Sequence, residues 1–331
     1  MPFRTNFGRK KHLRFYSVVS GCGFAPPFFF NHKNVDNSLV FPQKINILWK
    51  YCGKLKNIYT NLRFSVKIDL MKNDFRKELA VCGFEAVKAI SKFNPQKIRR
   101  FYYTRDRMMD FKDLFKSLAE RKVPYNNISE GELEKLSGTP HHQGVVAMID
   151  LPEIPHLNTK IADDWLHKKE SAILLDRVGN ANNLGAIIRS AAYFGFRNIV
   201  IPRDEEQTSV TTSSYRVAQG GMEFINIYSI QSIEKLLSSM QGKMIRFGTD
   251  VRANHSVEKI PDLCNENKKP ALIVLGNEEH GISKIVRQNC DELVKIPFSV
   301  ADSAQTSQIE SLNVAQAAAI VLYECRKIHV Q

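Results

Sequence analysis

The sequence predicts an α/β protein, with a C-terminal parallel sheet preceded by a second, smaller α/β unit. Three observations predict it. Residues 171–331 alternate short apolar runs of strand length with helix-spaced segments, the pattern of βαβ crossovers and of a sheet covered on both faces. Residues 75–150 show a shorter alternation of the same kind, set off by a polar, Pro-containing stretch at 151–170. Residues 1–70 show little periodicity and almost no acid. The expected division is a basic extension over 1–70, a small α/β unit over 75–150, a linker over 151–170 and the main domain over 171–331.

The elements follow in order. A helix is expected over about 75–93, ending at Phe93-Asn94-Pro95 because the residue before a proline leaves the helical region. IRRFYYT is a strand, rich in aromatic residues. In FKDLFKSLAERK, Phe111, Leu114, Phe115 and Leu118 fall on one helical face. ISEGELEKLSG reads as a helical turn ending at Gly138, and GVVAMID as a strand. Beyond residue 171 the strands are AILLDRV, NIVIP, INIYS, MIRFGTD, ALIVLG and LVKIPF. The helices between and after them are LGAIIRSAAYFG, a short one after the Ser/Thr-rich loop at 208–214, SIEKLLSSM, residues 283–290 and residues 312–328.

The formal net charge is +13 over 331 residues, and its placement matters more than its size. Residues 1–70 hold 12 Lys/Arg against 2 Asp/Glu, residues 71–150 hold 15 against 11, and residues 151–331 hold 20 against 21. Most of the basicity thus lies outside the main domain. The surplus over 71–150 is the more telling, because phosphate contacts need Lys and Arg on a folded face. Three readings compete for residues 1–70. They form an organelle-targeting segment, with Arg4, Arg9, Lys10, Lys11 and Arg14 ahead of the first acid, Asp36; or a disordered RNA-binding arm; or they precede a true start at Met71. A cytoplasmic protein is expected, and a mitochondrial one if residues 1–70 are a transit segment. Six scattered cysteines without CxxC spacing read as reduced thiols. No run of about 18 apolar residues is present, so no membrane span is expected.

Three loops stand where parallel sheets bind ligands, after the carboxyl ends of strands. In the first, GNANNLG, Asn183 can cap the following helix, and Arg189 lies inside that apolar helix. Alone, Arg189 reads as a partly exposed residue whose long stem snorkels to the surface. In the second, LGNEEHGIS, Gly276 and Gly281 bracket Asn277, Glu278, Glu279 and His280; alone, this is a turn. It lacks the HExxH spacing of a zinc site, and no metal is expected. In the third, Ser311 reads as the N-cap of the last helix, with Asn313 beside it. His141 and His142 read as turn residues, and the Ser/Thr cluster as a solvated loop.

Together these stretches are not independent. The order NNLGAIIRSAAYFG, LGNEEHG and IP…ESLNVAQAAAIVLYE resembles the three motifs of the SpoU (TrmH) branch of the SPOUT RNA methyltransferases, over residues 171–328. Residues 75–150, ending SGTPHHQGVVAMI, resemble the small ribosomal-protein-like substrate-binding domain found ahead of it in many members. The resemblance implies transfer of a methyl group from S-adenosylmethionine to a ribose 2′-hydroxyl of structured RNA, ribosomal RNA first and transfer RNA as the alternative. It also implies a C-terminal trefoil knot and a homodimer. It places Asn183, Arg189, Glu278, Ser311 and Asn313 at catalytic and site-shaping positions. It places Gly276, Ile296 and Leu312, with Thr249 as a weaker candidate, at cofactor contacts. The chain departs from the family pattern at Asn180-Ala181-Asn182-Asn183, where Asp-Pro-x-Asn is common; in a longer loop over 297–310; and at Ala315, where many members have Ser. The rival from another class is an inactive RNA-binding ribosome assembly factor, against which the retained polar residues argue.

Overall fold

Residues 77–297 and 311–329 are described by the structure, a computed structural model. The expectations for residues 1–70 and for residues 298–310 of the longer loop lie outside the described residues.

The first unit is a four-stranded sheet of β1 (Glu78–Cys82), β2 (Ile98–Tyr103), β3 (Tyr125–Asn127) and β4 (Val145–Asp150), in the order β1-β4-β2-β3. β4 runs antiparallel to β1 and β2, and β3 parallel to β2. The helix expected over 75–93 is corrected here. Its first half is strand β1, and only α1 (Phe84–Phe93) is helical. ELAVC is a short apolar run whose periodicity suits either state, and pairing along VVAMID decides it. α2 (Lys112–Glu120) buries Leu114 and Leu118 against Phe101 of β2, and Phe111 joins them. α3 (Glu130–Ser137) starts with a capping box between Ser129 and Glu132.

The second unit has seven strands: β5 (Ala172–Asp176), β6 (Asn198–Pro202), β7 (Asn226–Ile230), β8 (Ile245–Thr249), β9 (His255–Ser256), β10 (Ala271–Gly276) and β11 (Glu292–Lys295). Their order is β7-β6-β5-β10-β8-β11-β9, and every neighbouring pair is parallel. The helices are α4 (Thr159–His167), α5 (Ala181–Tyr193), α6 (Thr212–Ala218), α7 (Ile233–Met240), α8 (Lys259–Asn267), α9 (Lys284–Asn289) and α10 (Val314–Cys325). Both faces of the sheet are buried, as the apolar strands require. Ile173 and Leu175 share a core with Leu184 and Ile188 of α5 and with Ala318 and Leu322 of α10. Ala172 and Leu174 point the other way, to Trp165 of α4 and to Leu236 and Met240 of α7. α4 falls within the stretch expected to be linker. Asn158 accepts the Ile161 amide at 3.0 Å to cap it, and buried Trp165 holds it down.

Two features position the site. β5 lies where the strand order reverses, with β6 on one side and β10 on the other, so their outgoing loops diverge and leave a crevice at the carboxyl edge. α5 also packs hard on α6: a methyl at Gly185 would stand 2.5 Å from the Ser214 carbonyl oxygen. The two units meet through α1. Phe93 lies edge-on to Phe224 at 4.8 Å. The buried Glu223 carboxylate accepts from Asn94 Nδ2 at 2.5 Å and from Lys97 Nζ at 2.9 Å.

Candidate active site

α5 starts after Asn180, whose Oδ1 accepts the Asn182 amide at 2.8 Å. The N-cap role expected of Asn183 is therefore corrected. Three asparagines within four residues offer comparable caps, and the backbone enters the helix at the first. Asn183 then sits in the first turn with its side chain available. Its Nδ2 donates to Glu278 Oε1 at 2.7 Å, and its Oδ1 accepts from Asn313 Nδ2 at 3.2 Å. Residues 95 and 130 positions apart are thus joined by one amide. The bond to Glu278 is charge-assisted, the stronger kind.

The cap of α10 is Asn313, whose Oδ1 accepts the Ala315 amide at 2.9 Å. This corrects the cap role expected of Ser311, which is exposed and makes no hydrogen bond among the described residues. Asn313 therefore both starts the last helix and reaches back to the first motif.

The second loop is a tight turn. Asn277 and Gly281 exchange backbone hydrogen bonds at 3.0 and 2.9 Å. A methyl at Gly276 would stand 2.3 Å from the Gly281 carbonyl carbon, so only glycine fits there. Two residues beyond the expected set hold this loop. Asn277 Oδ1 accepts the Glu279 and His280 amides at 2.9 and 3.1 Å, and its Nδ2 donates to the Arg177 carbonyl at 2.8 Å. Buried Asp176 accepts the Ser283 amide at 2.5 Å. Asn277 was findable, because asparagine in a short turn folds onto backbone amides just ahead of it. Asp176 carries no comparable signal beyond being an acid at a strand end.

Thr249 ends β8, Gly276 ends β10 and Ile296 follows β11 by one residue. These strands are neighbours in the order β10-β8-β11, so their ends lie side by side at about 4.8 Å per strand. Thr249 Oγ1 donates to the Val274 carbonyl at 3.0 Å. Leu312 lies next to Asn313 with its side chain exposed.

Arg189 stands apart. It lies six residues beyond Asn183, about 9 Å along α5 and about 240° round it. It is exposed, and its guanidinium makes no hydrogen bond or ion pair among the described residues. It lines a cavity of about 410 Å³ with residues of α1. Within one chain the fold thus gathers Asn183, Glu278 and Asn313 and aligns Thr249, Gly276 and Ile296. It does not bring Arg189 to them, and Ser311, two residues before Asn313, makes no hydrogen bond to the bridge among the described residues.

The remaining candidates are structural. His142 is buried, and its Nδ1 accepts the Gly144 amide at 3.1 Å within a turn. Thr211 and Ser214 form the capping box of α6. Cys82, Cys264, Cys290 and Cys325 are free thiols. Burial pushes Cys82 up to about 11 and Cys264 and Cys290 up to about 12, so they stay protonated and unreactive at neutral pH. Among the described residues no cluster of three His, Cys, Asp or Glu could hold a metal ion, and no helix is long and apolar enough to cross a membrane.

A parallel sheet with three polar loops tied together at its switch point defines an α/β enzyme domain that takes its ligand at the carboxyl edge. Comparison with known proteins makes this specific. Residues 170–323 match the family model described as SpoU rRNA Methylase family, and residues 80–155 match that for RNA 2′-O ribose methyltransferase substrate binding. The 23S rRNA (guanosine-2′-O-)-methyltransferase RlmB of Acinetobacter baylyi is 30% identical over 260 residues, 74% of this chain and 96% of the relative. The protein of the same name from Coxiella burnetii is 30% identical over 256 residues, 75% of this chain and 95% of the relative. The SpoU methyltransferase AviRb of Streptomyces viridochromogenes, solved with AdoMet, superposes with a TM-score of 0.57 at 22% identity, covering 80% of this chain and 96% of that one. An AdoMet-bound rRNA methyltransferase of Sinorhizobium meliloti superposes with a TM-score of 0.58 at 20% identity, covering 81% and 94%. The chain belongs to the SpoU (TrmH) family of S-adenosylmethionine-dependent RNA 2′-O-ribose methyltransferases. The residues expected at the cofactor, Thr249, Gly276 and Ile296 at three neighbouring strand ends and the exposed Leu312, fit a ligand with both polar and apolar edges.

Proposed function

We propose that this chain methylates a ribose 2′-hydroxyl in the RNA of the large ribosomal subunit, acting as a homodimer in which each copy completes the other's site. The observation that carries this reading is the Asn183–Glu278–Asn313 bridge, which ties three motifs distant in sequence into one polar wall at the carboxyl edge. Its substrate class rests on the relatives named 23S rRNA methyltransferases, nearly all of whose length the chain spans. We assign the reaction to the cytoplasm, and to the mitochondrion if residues 1–70 are a transit segment.

Bound S-adenosylmethionine supplies an electrophilic methyl group on a sulfonium. Thr249, Gly276, Ile296 and Leu312 would hold it at the ends of β8, β10 and β11. Glu278 fixes the rotamer of Asn183, and Asn183 with Asn313 shapes the pocket for the ribose. Arg189 remains protonated, since a guanidinium has a pKa above about 12, so it serves as a positioning charge for a phosphate next to the target ribose. The proton of the 2′-hydroxyl then leaves to that phosphate or to water. Ser311, at the rim beside Leu312, completes the wall.

A second copy answers the position of Arg189. Tyr193 on α5 is 84% exposed, and Ile320 and Tyr323 of α10 are 38% and 46% exposed. Phe194 links the two helices by lying edge-on to both Tyr193 and Tyr323. So much apolar surface on adjoining helices suits a symmetric interface, and pairing there carries Arg189 of one copy toward the bridge of the other. The test is incubation with labelled S-adenosylmethionine and three RNAs in parallel: an unmodified large-subunit rRNA transcript, a small-subunit transcript and total transfer RNA. Label is expected as 2′-O-methyl at a single site of the first. Label in transfer RNA alone refutes the substrate, and label in none refutes the activity.

A further inference from the structure

The cavity beside Arg189 lies between α1 of the small unit and α5, the end of α6 and the Gly221–Glu223 turn of the large one. Lys88 and Lys92 stand on its α1 wall, one helical turn apart and both exposed. Among the described residues neither forms an ion pair with a carboxylate. Lys88 lies over the Phe84 ring and Lys92 over the Phe93 ring, each 5.3 Å from the centroid. Among the described residues Glu85 is the one acid on the lining, against Lys88, Lys92 and Arg189. The floor is aromatic: Phe93 and Phe224 are 47% and 50% exposed while touching each other at 4.8 Å. Lys97, just outside, is already neutralised by Glu223.

We infer that this groove is a binding track for single-stranded RNA, taking the nucleotides that flank the target ribose. The inference rests on the methyltransferase reading and extends it. Unpaired cations beside half-exposed rings are what an unstacked strand requires: phosphates meet the lysines, and a base stacks on the ring. The track starts on α1 and ends at Arg189, the charge assigned above to a phosphate beside the reacting ribose. A second copy of the chain is the poorer occupant, because a two-fold contact here would gather Lys88 and Lys92 of both copies, four like charges, in one interface. The Phe93–Phe224 contact and the Glu223 anchor span the two units, so the track keeps its width when RNA is absent.

The experiment uses the full chain, an unmodified large-subunit rRNA transcript, and Lys88→Ala/Lys92→Ala with Lys88→Arg/Lys92→Arg as the charge-preserving control. Loss of two single-strand phosphate contacts lowers the slope of log K against log salt by about 1.4, and affinity at 0.1 M salt by about 25-fold. The Ala pair is expected to show both, with the dissociation constant for S-adenosylmethionine within twofold of wild type, and the Arg pair to restore binding. An unchanged salt slope in the Ala pair overturns the track. So does a fall in sedimentation mass with RNA affinity retained, which would make the groove a contact between copies. A wild-type chain that binds the transcript but methylates no RNA would instead remove the activity and leave the binding comparison readable.

Discussion

Glu278→Ala tests the polar bridge directly. Glu278 Oε1 accepts from Asn183 at 2.7 Å, and Asn183 accepts from Asn313 at 3.2 Å. The substitution removes the charged end of this chain of bonds. A hydrogen bond to an ionised group contributes about 1.5–3 kcal/mol. Asn183 is only half-buried, so water partly replaces the lost partner. The folding cost should sit at or below about 1.5 kcal/mol, a Tm drop of about 3–6 °C for a unit of this size. The barrier is different. If Asn183 must keep its rotamer for transfer, up to the whole bond energy enters the activation free energy, and kcat falls about 10- to 150-fold. Glu278→Gln keeps an acceptor oxygen and should lose less than about tenfold, since neutral hydrogen bonds contribute about 1 kcal/mol. Single-turnover transfer of labelled methyl to the rRNA transcript, with calorimetric cofactor titration alongside, separates chemistry from binding. A kcat for Glu278→Ala within threefold of wild type would mean that Asn183 is held without the carboxylate, and the argument fails.

Gly276→Ala should weaken S-adenosylmethionine binding at least about tenfold, because the new methyl lands 2.3 Å from the Gly281 carbon and the turn must open; calorimetry checks it, and normal affinity would show that the turn does not hold the cofactor. Lys97→Ala should lower Tm by about 4–8 °C, leaving the 1%-exposed Glu223 side chain with Asn94 alone; the estimate is about 2 kcal/mol, below the usual cost of breaking a buried pair because Lys97 is 43% exposed. Lys97→Arg should restore most of it. Asp291 supplies a pH test. Hydrogen bonds from Arg246, at 2.9 Å from its backbone amide and from Nε, hold the Asp291 carboxyl below its ordinary value. That stability is present above the unfolded value of about 3.9 and is lost as pH falls through the lowered folded one. The Tm gap between wild type and Asp291→Asn should therefore be full at pH 7 and narrow below about pH 4. A gap independent of pH would remove the carboxylate's charge from the account.

The strands beyond residue 171 and the three loops were readable because their signals are local: apolar runs four to six residues long, and polar clusters after them. What escaped was decided by partners far away in sequence. ELAVC was legible as apolar but not as strand, since only VVAMID, 64 or more residues on, could say so. KIPDLCNEN hid α8 behind Pro261, which sits in its first turn, where proline is tolerated. α4 was lost among polar residues although Ala162 and Trp165 mark a buried face. In the site, the residue types were legible and their duties were not. Asn183 and Ser311 were both read as caps, yet Asn180 and Asn313 do the capping, which frees the Asn183 amide to join the motifs. Nothing local distinguishes adjacent candidates for a cap. The lysines of α1 carry no local signal, because the wall opposite them comes from the other unit.

The pairing of β5 with β10 has a consequence for biosynthesis. The two central strands of the large sheet align Ala172 with Leu272, a full hundred residues later in the chain. At about 5–20 residues per second, a ribosome takes about 5–20 s to deliver the second after the first. Through that interval β5, β6 and β7 can zip together, while the inner edge of β5 waits bare and apolar. Nascent chains of this protein should therefore depend on a holding chaperone, or on slow refolding at low concentration, more than their modest size suggests.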